Sequence, residues 1–203
     1  MPLVYQQNIN ECTQMGVWHI TEDENFFLKK VTLQKEITHW HKRLQHLAGR
    51  YLLTELQPTF PIELIKIADT RKPFLENEAY HFSISHCGNY AAVIVSKKYR
   101  VGVDVEAVRE KIDRIIPKFL TAEESFLLPR GAITKTATLF WSAKECIYKW
   151  EGEGGVDFKK HIAIKQFDDE KKILHCTFKH TTALLVHYLF FSEHYLSWVL
   201  SNR

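Results

Sequence analysis

The sequence predicts an α+β fold made of two similar halves in one chain, each a small antiparallel sheet packed with helices. Segments with a 3.6-residue apolar period alternate with groups of short strand-like runs, in the order helix, strands, helices, strands. The pattern starts again near residue 100, which predicts one half at 1–100 and the other at 101–203. The strings "YAAVIVS" at 90–96 and "YLSWVLS" at 195–201 share their first and last residues around an apolar run, a weak sign of duplication.

Residues 33–106 are predicted to contain a helix followed by four strands, over 33–56, 61–69, 79–86, 90–96 and 99–106, and the last strand crosses the boundary between the halves. Apolar residues recur at the helical period before Pro58, which marks the end of the helix. Gly88 and Asn89 supply turn residues between two alternating runs and therefore predict a hairpin. The next run follows almost at once, so we expect it to extend this hairpin into a meander.

The second half is predicted to contain helices over 112–120, from Thr121 onward, and over 136–151, followed by strands over 161–167, 172–178, 183–191 and 194–201. The second helix begins with Thr121 followed by Glu124, the spacing of a capping box. Glycines in "EGEGGVD" end the third helix.

Composition excludes several classes of protein. Charged residues make up 25% of the chain and hydrophobic residues 45%, which is typical of a folded globular protein. A net charge of +3 is too mild for a dedicated nucleic-acid binder. The longest apolar-rich stretch, "ALLVHYLFF", is too short to span a bilayer. The N-terminus has no signal-peptide pattern, and four cysteines are scattered, so we expect a cytoplasmic protein with reduced thiols.

The strand "VGVDVE" brings two carboxylates to one face. Side chains alternate along a strand, so the valines point to one side, and Gly102, Asp104 and Glu106 point to the other. Neighbouring carboxylates on one face repel each other unless a cation lies between them. A solvent-facing edge with two harmless charges is the alternative, and this motif alone leaves both interpretations open.

The stretch "WSAKECIYKW" raises the same choice on a helix. Glu145 and Lys149 have an i, i+4 spacing that is worth only about 0.2–0.5 kcal/mol on an exposed surface. Trp141 lies one turn earlier on the same face, and Tyr148 and Trp150 flank the lysine. Such an aromatic face is partly buried, where an idle charge pair would be costly. The pair is therefore either an ordinary salt bridge or part of an active site.

Several polar residues of the first half are candidate phosphate contacts. His86 ends a strand beside Ser85 and can donate to a phosphate, or it can serve as a turn histidine bonded to backbone. Lys72 in "TRKP" and the helical residues Arg43 and Arg50 are further candidates, unless their charges only face solvent.

In chain order, the sequence contains "RKP", "FSISHC", "VGVDVE", "FLTAEES" and "WSAKECIYK". This series resembles the 4′-phosphopantetheinyl transferases of the larger, pseudo-dimeric surfactin-synthetase type, and the two α+β halves fit the fold of that family. The D-x-E strand and the W-x-x-K-E-x-x-x-K helix, about forty residues apart, are the most specific motifs. Arg71, Ser83, Cys87 and Cys146 depart from the usual residues, but none replaces a charged group that the chemistry requires.

The resemblance implies a holo-acyl-carrier-protein synthase type of enzyme, which transfers the 4′-phosphopantetheine arm of coenzyme A to a serine of an apo carrier protein and releases adenosine 3′,5′-bisphosphate. It implies Mg²⁺ as the cofactor, held by Asp104, Glu106 and Glu145. It also implies that Glu145 takes the serine proton, directly or through a metal-bound water, with Glu124 as a second candidate. Lys149 would stabilise charge on the departing phosphate.

The same resemblance assigns the contacts to coenzyme A to five residues of the first half: Lys72, Ser85, His86, Arg43 and Arg50. The first half is thus the predicted coenzyme A side, and the second half is the predicted metal and catalytic side. The partner is an acidic acyl or peptidyl carrier protein. We expect it to dock on the helix 112–120, which carries Lys111, Arg114 and Lys118 beside its apolar stripe. A monomer is expected.

Two competing functions use the same residues. A Mg²⁺-dependent nucleotide or pyrophosphate hydrolase would act on coenzyme A without any carrier. A carrier-binding protein with a decayed site would lack at least one ligand, whereas all three carboxylates and the lysine are present.

Overall fold

The computed structural model describes residues 2–33 and 36–202, which divide into two compact units. The first unit contains the chain up to Val101 together with Asn202, and the second unit is Gly102–Ser201. Within the described residues, no helix combines the length and the apolar character needed to cross a membrane.

The first unit contains β1 (Leu3–Asn10), β2 (Thr13–His19), α1 (Glu24–Leu28), α2 (Trp40–Leu56), β3 (Lys66–Ile67), β4 (Pro73–Phe74), β5 (His81–Cys87) and β6 (Tyr90–Ser96). Four of its strands form an antiparallel sheet in the order β1-β2-β6-β5. Helix α2 packs on this sheet through side chains that include Leu47, Leu52 and Leu53, all fully buried. A long amphipathic helix on a four-stranded sheet is therefore the core of this unit.

Three predictions for the first unit need comment. The hairpin β5–β6 is confirmed, with Cys87 opposite Tyr90. The helix predicted over 33–56 begins only at Trp40, where His39 caps the first turn; the predicted positions 34 and 35 lie outside the described residues. The continuous strand predicted over 61–69 is wrong, because Ile62–Leu64 form a 3₁₀ turn and only the two residues of β3 pair as a strand.

The hairpin β1–β2 was not predicted from the sequence. Four of the eight residues in its first strand are polar and none is buried, since the strand lies at the edge of the sheet and pairs only on one side, with β2. The apolar alternation that reveals a half-buried strand is therefore weak in this segment.

The second unit contains β7 (Arg100–Ala107, which begins in the first unit), α3 (Ile116–Phe119), α4 (Ala122–Ser125), α5 (Ile133–Glu151), β8 (Ile162–Asp168), β9 (Ile173–Phe178), β10 (Thr182–Phe191) and β11 (His194–Ser201). The sheet has the order β7-β11-β10-β9-β8, and β8 to β11 are paired antiparallel in sequence. Helix α5 packs on this sheet, with Phe140, Ala143 and Ile147 fully buried between them.

The structure confirms α5, the four strands that follow it, and the capping box at Thr121 and Glu124. The predicted helix 112–120 is wrong as a continuous element: a 3₁₀ turn, Glu110–Arg114, precedes the four-residue α3. Pro117 explains the break, since proline has no amide hydrogen and belongs in the first turn of a helix.

The predicted meander is also wrong, because β7 lies beside β11 and not beside β6. Strand β6 already has β2 on one side and β5 on the other, so it has no edge left for a further strand. The two sheets differ in strand number and order, and the similarity of the two halves stays a prediction.

Strand β7 approaches α5 very closely at Gly102. A Cβ atom at this position would lie 2.2 Å from the carbonyl oxygen of Cys146 and 2.9 Å from the backbone nitrogen of Trp150. The Cys146 thiol also donates a hydrogen bond to the Gly102 carbonyl oxygen, at 3.2 Å. Only glycine fits here without moving the strand away from the helix.

We predict that Gly102→Ala lowers the free energy of unfolding by about 2 kcal/mol or more, because the clash is with backbone atoms that cannot rotate away. Urea unfolding followed by circular dichroism measures this. Gly131→Ala is the matched control, since a Cβ there meets no atom within 4 Å. Equal stability of the two variants would contradict the close packing.

Candidate active site

Strand β7 and helix α5 bring four of the predicted residues together. The Asp104 side chain is 3% exposed, and its Oδ1 lies 2.6 Å from Lys149 Nζ. Glu106 Oε1 accepts a hydrogen bond from Trp141 Nε1, at 3.3 Å. Two residues of a strand span roughly 6.6 Å and one helical turn roughly 5.4 Å, so the D-x-E spacing matches successive turns of the helix. Glu145 lies on the turn between Trp141 and Lys149.

The charges in this cluster perturb one another. Burial raises the pKa of Glu145 to about 7, with a further increase from Asp104 and Glu106 and an opposing effect of Lys149. Burial and Asp104 also raise the pKa of Glu106. For Lys149, burial lowers the pKa, but Asp104 and Glu145 outweigh it, and the pKa ends above its ordinary value. The cluster therefore holds a firmly protonated lysine and more acidic groups than that lysine can neutralise.

The donor set of the cluster fits a hard divalent cation. Carboxylate oxygens are the ligands that Mg²⁺ prefers, and the excess of acidic groups would be relieved by positive charge. The side chains are not arranged as a closed metal site: across residues 2–33 and 36–202, no three His, Cys, Asp or Glu side chains are grouped to hold an ion. Here the Lys149 ammonium group supplies positive charge at Asp104. The Mg²⁺ ligands Asp104, Glu106 and Glu145 stay a prediction.

Glu124, the second candidate for the proton acceptor, lies in an internal ion pair. Its side chain is 3% exposed and lies 2.7 Å from the ammonium group of Lys144, whose side chain is completely buried. Glu124 also accepts from the backbone amides of Thr121 and Ile164, at 2.9 and 2.8 Å. Burial lowers the pKa of Lys144, and Glu124 opposes this effect.

No role for Lys144 was predicted from the sequence. Adjacent residues on a helix point about 100° apart, so Lys144 and Glu145 cannot both face the same cluster. The juxtaposition of two opposite charges on a mostly buried helix was the available signal. It indicates that one of the two has a separate partner elsewhere in the unit.

Two depressions border the acidic cluster. The first, which we call the Glu145 groove, has a volume of about 590 Å³ and is lined by Ile115, Lys118, Phe119, Trp141, Glu145, Asp157 and Phe158. The second has a volume of about 440 Å³ and lies on the Glu106 side of Trp141. Lys111 and Arg114 line the second depression, and both are exposed. The predicted basic residues of 112–120 thus lie beside the carboxylates.

The two predicted coenzyme A contacts on α2, Arg43 and Arg50, both interact with other side chains of the first unit. Arg43 Nε lies 2.8 Å from the Glu24 carboxylate in a partly exposed ion pair. Arg50 is only 5% exposed, and its terminal nitrogen lies 3.1 Å from His46 Nδ1. Burial lowers the pKa of Arg50 to about 10. Arg50 is therefore enclosed in the first unit to a degree that its sequence position did not indicate.

The other predicted contacts lie at the end of β5 and before β4. Ser85 is buried and His86 is exposed, which agrees with their opposite directions on a strand. The β5–β6 turn is tied to α2, because Gln45 Nε2 donates to the Gly88 carbonyl oxygen at 2.8 Å. Lys72 is half-buried in the turn that precedes β4.

Strand β7 and helix α5 thus bring three carboxylates and one lysine together in the second unit, and this cluster is the candidate active site. Residues 100–200, which include every member of the cluster, match the 4′-phosphopantetheinyl transferase superfamily. This part of the chain therefore belongs to that superfamily. The larger, surfactin-synthetase subtype stays a prediction.

The chain is also similar to proteins named enterobactin synthase component D from Escherichia coli (strain K12), Escherichia coli O157:H7 and Shigella flexneri. Each is 34% identical over 116 residues, a match that covers 53% of this chain and 54% of the relative. The chain thus spans about half the length of the curated relatives it matches.

We predict that Glu145→Gln stabilises the protein at pH 8 and not at pH 4. The pKa of Glu145 rises from 4.5 to about 7 on folding, so the folded state binds more protons between these values, and stability falls as pH rises through that window. Glutamine removes this loss. Since one pKa unit corresponds to about 1.4 kcal/mol and Glu145 is partly exposed, the gain at pH 8 is about 1–3 kcal/mol.

The measurement is thermal or urea unfolding in the presence of a chelator at several pH values. Glu170→Gln, at an exposed position between β8 and β9, is the control and should leave the pH dependence unchanged. Equal stability of Glu145→Gln and the unmodified protein at pH 8 would show that the Glu145 carboxyl is not desolvated.

Proposed function

We propose that this protein transfers the 4′-phosphopantetheine arm of coenzyme A to a serine hydroxyl of a small acidic carrier protein, in a Mg²⁺-dependent reaction that releases adenosine 3′,5′-bisphosphate. The carrier is an acyl or a peptidyl carrier protein. The observation that carries the proposal is the cluster of Asp104, Glu106, Glu145 and Lys149, within the part of the chain that belongs to the superfamily.

In this reaction the serine oxygen forms a bond to the phosphorus that carries the pantetheine arm, and the bond from that phosphorus to the bridging oxygen breaks. The serine loses its proton, and the departing adenosine bisphosphate gains negative charge. A general base must lie within reach of the proton that it takes, and the partly exposed Glu145 lines the groove that the carrier's serine would enter. Lys149 stays protonated and can balance the charge on the departing phosphate.

Asp104, Glu106 and Glu145 are the residues that would hold Mg²⁺. When bound, this ion would neutralise charge on the pyrophosphate of coenzyme A. In the structure, Lys149 already balances the charge of Asp104, and this ion pair holds β7 and α5 together. Trp141 fixes the direction of Glu106 through its indole hydrogen bond.

We assign the phosphates of coenzyme A to the first unit. The exposed His86 and the half-buried Lys72 support this assignment best, since both can present a donor to a ligand. Arg43 is partly neutralised by Glu24, and Arg50 is enclosed with His46, so these two contribute positive charge behind the contact surface. Ser85 is the neighbour of His86 on β5 and is buried.

The carrier protein is proposed to dock along residues 110–119. Lys111, Arg114 and Lys118 are exposed there and line the depressions that border Glu106 and Glu145. An acidic partner would be attracted to this row of cations and would bring its serine next to the carboxylates.

The first prediction of this function is a mass gain on the carrier. When the protein is incubated with coenzyme A, Mg²⁺ and an apo carrier protein, mass spectrometry should show one added phosphopantetheine group per carrier. Asp104→Ala should slow the transfer about 100-fold or more, because it removes a carboxylate from the centre of the cluster. Cleavage of coenzyme A without a carrier would instead establish a hydrolase, and no reaction at all would reject the proposal.

The second prediction concerns docking. The double variant Arg114→Glu/Lys118→Glu should raise the KM for the carrier about tenfold or more and leave the KM for coenzyme A unchanged, since charges across an interface mainly govern association. The control Lys171→Glu/Lys172→Glu makes the same charge change in the turn between β8 and β9. An equal effect of both double variants would mean that only net charge matters.

A further inference from the structure

The ammonium group of Lys144, on α5, joins three other segments of the second unit. It donates to the carbonyl oxygens of Phe119, Phe158 and Ile162, at 2.9, 2.9 and 2.8 Å. It also contacts both carboxylate oxygens of Glu124, at 2.7 and 2.8 Å. The end of α3, the start of α4 and the loop before β8 are therefore all tied to one turn of α5.

Two of these partners are walls of the Glu145 groove. The rings of Phe119 and Phe158 pack on Trp141, with centroids 5.1 and 5.4 Å from its ring. Lys144 binds the backbone of both phenylalanines from inside the unit, whereas the next residue, Glu145, lines the groove itself. A single buried side chain thus bonds to both walls of the groove.

Glu124 holds Lys144 in place. Its carboxylate accepts hydrogen bonds from Thr121 N and Ile164 N in addition to the ion pair, so its position is fixed from two directions. A carboxylate with this many donors around it, at 3% exposure, is poorly placed to take a proton from an incoming hydroxyl.

We propose that Lys144, held by Glu124, is a positioning residue that sets the separation of Phe119 and Phe158 and thereby the width of the Glu145 groove. Glu124 then acts through Lys144 and is not the proton acceptor that the family resemblance implies. The role in catalysis rests on the proposed function, because it assumes that the carrier's serine segment enters this groove. The structural part of the proposal, that Lys144 sets the width of the groove, does not depend on the proposed function.

The structural part is tested with two variants and one control. Lys144→Met keeps an unbranched side chain that is one atom shorter, and it removes every donor. Glu124→Gln keeps the size of the side chain and removes its charge. It is the test variant if Lys144→Met does not fold. Val186→Ala is the control, because Val186 is fully buried on β10 and does not line the groove, yet its loss also destabilises the core.

The readout is the fluorine NMR spectrum of protein labelled with 5-fluorotryptophan, with the Trp141 signal assigned through Trp141→Phe. The Trp141 signal should shift or broaden in Lys144→Met and Glu124→Gln, since its two ring neighbours move, and it should stay in place in Val186→Ala. An unchanged Trp141 signal in both test variants would overturn the proposal.

The catalytic part is tested by kinetics of carrier modification, well below the unfolding temperature of each variant. A wider groove should raise the KM for the carrier about tenfold in Glu124→Gln, with kcat nearly unchanged. If Glu124 were the general base, kcat would instead fall about 100-fold or more at constant KM, and the positioning role would be rejected. A fluorine shift without any transfer activity in the unmodified protein would reject the proposed function and leave the positioning role standing.

Discussion

The close contact between β7 and α5 is the constraint on which the rest of the second unit depends. Gly102 lets the strand lie directly on the backbone of the helix at Cys146 and Trp150. Two residues further on, this closeness places Asp104 against Lys149 at 2.6 Å in a nearly buried setting. With the strand further away, these charges would be solvated and would form an ordinary surface pair of little consequence.

Helix α5 carries two lysines that illustrate different uses of a buried cation. Lys144 is fully enclosed, and its charge is matched by Glu124 and three carbonyl oxygens, so nothing is left for a ligand to satisfy. Lys149 pairs with Asp104, and the nearby carboxyl of Glu145 has a pKa near 7. A closed pair of this kind stabilises structure, whereas an open cluster with surplus acid provides the electrostatic conditions for chemistry.

Local signals explain which elements could be predicted. The apolar period of α5, the capping box at Thr121 and the turn between β5 and β6 all depend on residues close in sequence, and all were confirmed. The partner of β7 could not be predicted, because the sequence did not reveal that β6 is already paired on both sides. One of its two partners, β2, belongs to the hairpin β1–β2, whose apolar alternation is weak. Pro117 is a local signal for the break before α3. The prediction of one continuous helix over 112–120 followed the apolar period instead.

By itself, the sequence determined that Gly102, Asp104 and Glu106 share one face of a strand and that Trp141, Glu145 and Lys149 share one face of a helix. Both follow from backbone periods of two and 3.6 residues, which depend on local geometry alone. Only the tertiary structure decided that these two faces meet, and that Glu124 is enclosed by Lys144 instead of facing the cluster. Pairing of residues distant in the chain depends on which surfaces can approach closely, and packing of the whole unit settles that.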